Sequence, residues 1–170
     1  MGENDMAGEA DGDRLLRLLA LDENDLDVIS AHLQDAHVRR ADLHFLPHEH
    51  RFVLALQRFD WERPEDAPPR RRLAALHFDQ VRAVRHRNLE HTAPDSLFNL
   101  LAIHFIEGEK PSGAVVLEFS GGAAIRLDVE CIEAQMKDLG PMWEVAGRPA
   151  HTEGEGSGRE HDGGSDAGKT

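Results

Sequence analysis

A second cysteine is missing: Cys131 stands alone in 170 residues, so no internal disulfide can staple the chain, and a lone thiol suits a reducing compartment. No apolar run approaches the ~18 to 20 residues that a spanning helix needs. The opening residues also lack the apolar stretch of a signal peptide. Together these set the expectation of a cytoplasmic protein with no membrane partner. Positive charge is scarce overall. Lys and Arg number 19 against 32 Asp and Glu, a net charge of −13, the wrong sign for the basic field by which proteins hold nucleic acid. Also absent are an internal repeat, a Cys-x2-Cys pair and a His-Glu-x-x-His helix, so no standard zinc site is written in the chain.

What is present is unevenly distributed. Residues 1–13 carry five acids and no base, and residues 147–170 are almost entirely Gly, Glu, Asp, Ser, His and Arg. Neither stretch holds enough apolar surface to offset the entropy of ordering it, so both are expected to be disordered tails around a single domain over 14–146. Residues 39–87 run against the general acidity, with eleven arginines facing seven acids, a local balance of +4.

Within the domain the apolar period changes several times. "RLLRLLAL" reads as a first strand. Asp22 then opens "LDENDLDVISAHLQDA", where Leu26, Ile29 and Leu33 recur on one helical face and acids crowd the first turn. From residue 37 onward the period is two: Leu43 and Phe45, the turn Pro47 to His50, then Phe52, Leu54 and Leu56 form a hairpin. After a proline-rich loop, Leu76 and Phe78 share one parity and Val81 and Ala83 the other, so an extra residue near Asp79 and Gln80 must re-aim that strand. Leu101, Ile103 and Phe105 alternate next. Val115, Leu117 and Phe119 lead into Ser120-Gly121-Gly122, and Ile125, Leu127 and Val129 lead out. Ile132, Met136 and Leu139 then recur at helical spacing before Gly140-Pro141, which predicts a second helix. The fold expected is α+β: an antiparallel β meander or partial barrel of about six strands with an N-terminal and a C-terminal helix packed on it.

"LLALDENDLDVISAHLQDA", "RRRLAALHFDQVRAVRHRNL" and "GGAAIRLDVECIEAQMKDLGPMW" together resemble an uncharacterised bacterial family, domain-of-unknown-function family 2948, over roughly residues 14–149. The matching motifs are core and turn patterns. The resemblance therefore implies no catalytic residue and no cofactor.

Several local constellations invite chemistry, and each has a plainer reading. His48-x-His50 sits at a proline-led turn with the wrong spacing for a helical zinc pair, so no metal is expected there. Cys131 lies between Glu130 and Glu133, which disfavour a thiolate. Asp128 and Glu130 could pair as carboxylates, but capping of the expected helix explains Asp128, and Ser120-Gly121-Gly122 precedes a strand, where a phosphate cradle precedes a helix. Trp61 and Trp143 read as rings closing the rim of a core. No nucleophile, base and orienting group can be assembled from the sequence. The reading is thus a small non-enzymatic binding or protein-interaction module that uses an arginine-rich sheet face. Arg82 and Arg85 are expected to face solvent, with Arg58 and Arg72 on neighbouring segments, to receive an acidic protein or an anionic small molecule. The alternative is an enzyme of unknown class whose dispersed His and acidic residues converge in space, with His77, Asp79 and His104 as candidate members.

Overall fold

The computed structural model describes residues 14–149; of the stretches read as tails, 1–13 and all of 147–170 after its first three residues lie outside them. Strand β1 (Arg17–Ala20) is followed by helix α1 (Glu23–Leu33), then β2 (Ala36–Arg39), β3 (Leu43–Leu46), β4 (Arg51–Phe59), β5 (Arg70–Phe78), β6 (Val81–Arg87), β7 (Leu97–Glu107), β8 (Gly113–Phe119), β9 (Ala124–Val129) and β10 (Ala134–Glu144). All pairings are antiparallel, in the order β1-β10-β5-β4-β2-β7-β8-β9-β6, with β3 also on β4. The expected α+β meander of about six strands and two helices is corrected to ten strands and one helix among the described residues.

Helix α1 forms where its pattern puts it. The Asp22 carboxylate accepts from the Asp25 N–H at 2.8 Å, and Leu26, Ile29 and Leu33 are buried. Burying each such side chain contributes about 1.5 to 3 kcal/mol. The helix lies against β7, beyond the end of β2, where Ser30 Oγ accepts from the Ile103 N–H at 2.9 Å.

The second helix is absent because residues 134–144 are strand β10. Ile132, Ala134, Met136 and Asp138 are buried while Lys137 and Leu139 are exposed, a period of two whose last inward member is a carboxylate. Grouping Leu139 with Ile132 and Met136 turned that alternation into a false helical stripe. Gly140, at φ 109°, belongs to an irregularity in the β10–β5 register between Asp138 and Met142, not to a helix stop.

The sheet folds back on itself through two bent strand pairs. β5 runs into β6 across Asp79–Gln80, with Gln80 left-handed at φ 59°, and β9 runs into β10 across residues 130–133. Asp79 N–H donates to the Glu133 carbonyl at 2.8 Å and Glu130 N–H to the Gln80 carbonyl at 3.0 Å, which keeps the pair hydrogen-bonded through the bend. The two halves therefore turn their inner faces toward each other. Leu54, Leu76 and Met136 from one half and Leu100, Ile103, Leu117 and Leu127 from the other lie in a single hydrophobic cluster. The tight turn of the β8–β9 hairpin uses the positive φ of Gly121 and Gly122, where a Cβ would be strained.

Candidate functional site

Three adjacent strands end their inward alternation on a charge. On β4 the series Phe52, Leu54, Leu56 continues to Arg58; on β5 the series Phe78, Leu76, Ala74 continues to Arg72; on β10, Ala134 and Met136 continue to Asp138. Because strand parity is rigid, all three side chains enter the core layer at the same end of the domain. Arg58 and Arg72 are direct cross-strand neighbours, 1 % and 2 % exposed. Arg58 makes a two-pronged contact with Asp138, Nε to Oδ1 at 2.7 Å and Nη2 to Oδ2 at 2.8 Å, and turns Nη1 to Glu62 at 3.0 Å. Asp60 accepts from Arg70 Nε at 2.6 Å and Arg72 Nε at 2.9 Å through a single oxygen. Arg71 donates to the Asp35 and Gln57 carbonyls at 3.0 Å each and stitches β4 to the α1–β2 connection, where β2 and β4 share only the His37–Gln57 pair.

Above this layer a cleft of about 420 Å³ is lined by Arg14, Leu15, Leu16, Arg17, Asp60, Glu62 and Arg72. Glu62 stands at its rim. Burial pushes its carboxyl up, but His32, whose Nδ1 lies 2.8 Å away, Asp60 and Arg58 outweigh that and hold it far below the usual carboxylate range. Arg58 is likewise held charged, its carboxylate partners outweighing burial. A group depressed on folding contributes stability above its unfolded pKa, near 4.5 for Glu62, and loses it as pH falls. The wild type should therefore lose stability steeply below pH of about 5, and Glu62→Gln should flatten that slope. Identical slopes in urea titrations across pH 3 to 7 would show that Glu62 is not held ionised by folding.

The four arginines singled out from sequence are split into two pairs. Arg58 and Arg72 lie in the buried layer, whereas Arg82 and Arg85 stand exposed on β6, which pairs with β9. There Arg82 meets Glu130 at 3.2 Å and Arg85 meets Asp128 at 3.0 Å; Asp128 is shared with Arg126 at 3.1 Å. These two arginines hold the Asp128 carboxyl below its ordinary range against the upward push of burial. Arg87 donates through Nε to the Gly122 carbonyl at 3.2 Å. Arg85, Arg87 and Arg126 border a shallow depression of about 330 Å³, with His104 and Glu118 beside them and Val116 and Ala124 between.

The remaining candidates separate in space. His77 Nε2 lies 3.5 Å from Asp79, which Arg51 holds at 2.7 Å, but His104 sits on β7 opposite Val116, in the other half of the sheet. His48 and His50 are exposed in the turn between β3 and β4, with His50 left-handed. Trp61 donates to the Gln34 carbonyl at 3.3 Å and packs on Phe59 with ring centroids 4.6 Å apart, so it anchors the core rim; Trp143 is exposed. Arg148, inside the stretch read as tail, lies over the Phe59 ring at 5.6 Å. Cys131 is half-buried in the β9–β10 bend, and burial, then Glu133 and Glu130, pushes its thiol up. Its alkylation by iodoacetamide at pH 7 should run slower than that of a free cysteine, and Cys131→Ser should leave the melting temperature nearly unchanged; fast selective labelling would contradict both burial and charge.

The sequence reading missed Asp60, Glu62, Arg70 and Asp138 as members of one network. The available signal was a charged residue at core parity at the end of an apolar alternation, repeated on three strands. Arg14 and Arg17 carried no such signal, because β1 meets its partner β10 only across the whole length of the domain.

No helix among the described residues is long and apolar enough to cross a membrane. No curated protein and no solved structure matches the chain. A family model described as a protein of unknown function, DUF2948, matches residues 16–151, a span that takes in every strand, the helix and both arginine groups. The chain belongs to the DUF2948 family.

Proposed function

We propose that the protein is a cytoplasmic, non-enzymatic binding module of bacterial origin whose β6–β9 face receives an acidic protein segment. One observation carries the reading: Arg85, Arg87 and Arg126 share a single depression with Ile106, Val116 and Ala124, while Asp128 serves two of them at once. Exposed ion pairs of this kind contribute ~0 to 1 kcal/mol each, so an incoming carboxylate can displace them at little cost. Guanidinium groups suit the task because they grip carboxylates in two-pronged fashion. Arg58 and Arg72 are outside this face; their role is to hold β4, β5 and β10 together.

The test is binding of a fluorescent polyglutamate peptide at low and moderate salt. Arg85→Glu/Arg87→Glu should weaken it by about tenfold or more and flatten the salt dependence. Arg39→Glu, a charge reversal on the β2 side of the molecule, should weaken it less. Equal binding by the wild type and the double variant would remove the β6–β9 face as the site.

A further inference from the structure

Among the described residues the sheet keeps two free ends, β1 and β6, and no strand pairing joins β6 to β3. Among the described residues β3 pairs only with β4 and β6 only with β9, and near this seam a single backbone bond, from Val81 N–H to the His50 carbonyl at 2.8 Å, joins the two sides. The loop after β6 closes the lower end, where Ala41 N–H donates to the Pro94 carbonyl at 2.9 Å and Arg40 N–H to the Ser96 carbonyl at 3.0 Å. Between these walls lies a cavity of about 370 Å³. Its floor is the main core itself, Phe52 and Ile125 with Leu89, and its sides are Leu43, Phe45 and Val84, which pack on that core but stay partly open. Apolar side chains in an open cavity gain by excluding water, and a volume of this size falls within the ~300 to 1,000 Å³ usual for small-molecule sites.

The polar contribution is small and one-sided. Arg40 and His86 are the polar residues of the lining. His86 is engaged by Glu90, Nδ1 to Oε1 at 3.2 Å. Asp42, the acid closest to Arg40 in sequence, is engaged by Arg39 at 3.0 Å, and among the described residues no carboxylate pairs with the Arg40 guanidinium. An apolar cavity with one guanidinium available for pairing at its wall selects for a molecule with one apolar body and one anionic head.

We infer that the seam between β3 and β6 is a binding site for a small apolar monocarboxylate, its chain or ring lying on Phe45, Phe52 and Ile125 and its carboxylate on Arg40. This site lies on the inner side of β6 and does not depend on the arginine face proposed above. Decanoate, below its micelle-forming concentration, and 2-naphthoate are suitable probes, with decanol as the uncharged comparison, followed by calorimetry and native mass spectrometry on the full chain. The wild type should bind at least one of the two carboxylates. Arg40→Met should weaken that binding by about ten- to a hundredfold, the range for losing a hydrogen bond to a charged group, and leave decanol binding unchanged. Val84→Trp should abolish binding of both kinds while cooperative unfolding is retained, and Arg85→Glu/Arg87→Glu should have no effect on it. The inference is overturned if neither carboxylate binds the wild type, or if Arg40→Met weakens decanoate and decanol alike or neither of them.

Discussion

Asp138→Ala should be among the most damaging single substitutions in the domain, lowering stability by about 3 to 5 kcal/mol, because it leaves the Arg58 guanidinium in the core layer without its two-pronged partner. The loss is larger than the worth of the pair, since Glu62 meets Arg58 only through Nη1, and the buried Nε and Nη2 groups are left desolvated without a partner. Leu16 N–H, which donates to Asp138 Oδ2 at 2.8 Å, loses its acceptor as well. Replacing both charges, as Arg58→Met with Asp138→Leu, should restore most of the stability. A deficit of ~1 kcal/mol should remain for the unsatisfied Leu16 N–H. Urea unfolding at pH 7 checks the set. A cost below ~1 kcal/mol for Asp138→Ala would mean that water reaches Arg58 and that the layer is not a core element.

The second large effect separates the two readings of residues 132–144. On a strand Met136 is buried and Leu139 is exposed, whereas on a helix both would lie on one stripe. Met136→Ala should therefore cost about 2 to 5 kcal/mol, and Leu139→Ala less than ~0.5 kcal/mol, as expected of exposed sites. Comparable losses at the two positions in chemical denaturation would restore the helix and undo the β5–β10 pairing.

These two experiments bear on what could be read from the chain. Helix α1 and the β8–β9 hairpin were legible because their signals are local: a capping aspartate with a three-residue stripe, and alternation on both sides of a glycine turn. Strand β10 was misread because its third inward residue is Asp138, and an acid at a core position makes sense only with Arg58 in view, 80 residues away. Arg58 and Arg72 illustrate the same difficulty. Their parity matched the buried series on β4 and β5, yet their charge suggested solvent. Arg82 and Arg85 are exposed as expected, but being three apart they have opposite parity, and the register shift between Val81 and Ala83 that lies beside them was not read from the sequence. The cleft and the seam cavity were not legible, as each is walled by strands that meet only through long-range pairing.

The Arg58–Asp138 contact and the pairing of β1 with β10 have a consequence for the birth of the molecule. Translation delivers β1 and Arg58 first and their partners among the last parts of the domain. At ~5 to 20 residues per second, the 80 residues between the two charges take about 4 to 16 s to make. Throughout that interval the first strand has no neighbour to pair with, and the guanidinium must stay in water. A ribosome-bound chain halted just short of Asp138 is accordingly expected to be cleaved readily by protease, and release of the finished chain to confer resistance on all strands together. Resistance appearing strand by strand during elongation would show instead that the half-sheet β6 to β9 matures without its ends.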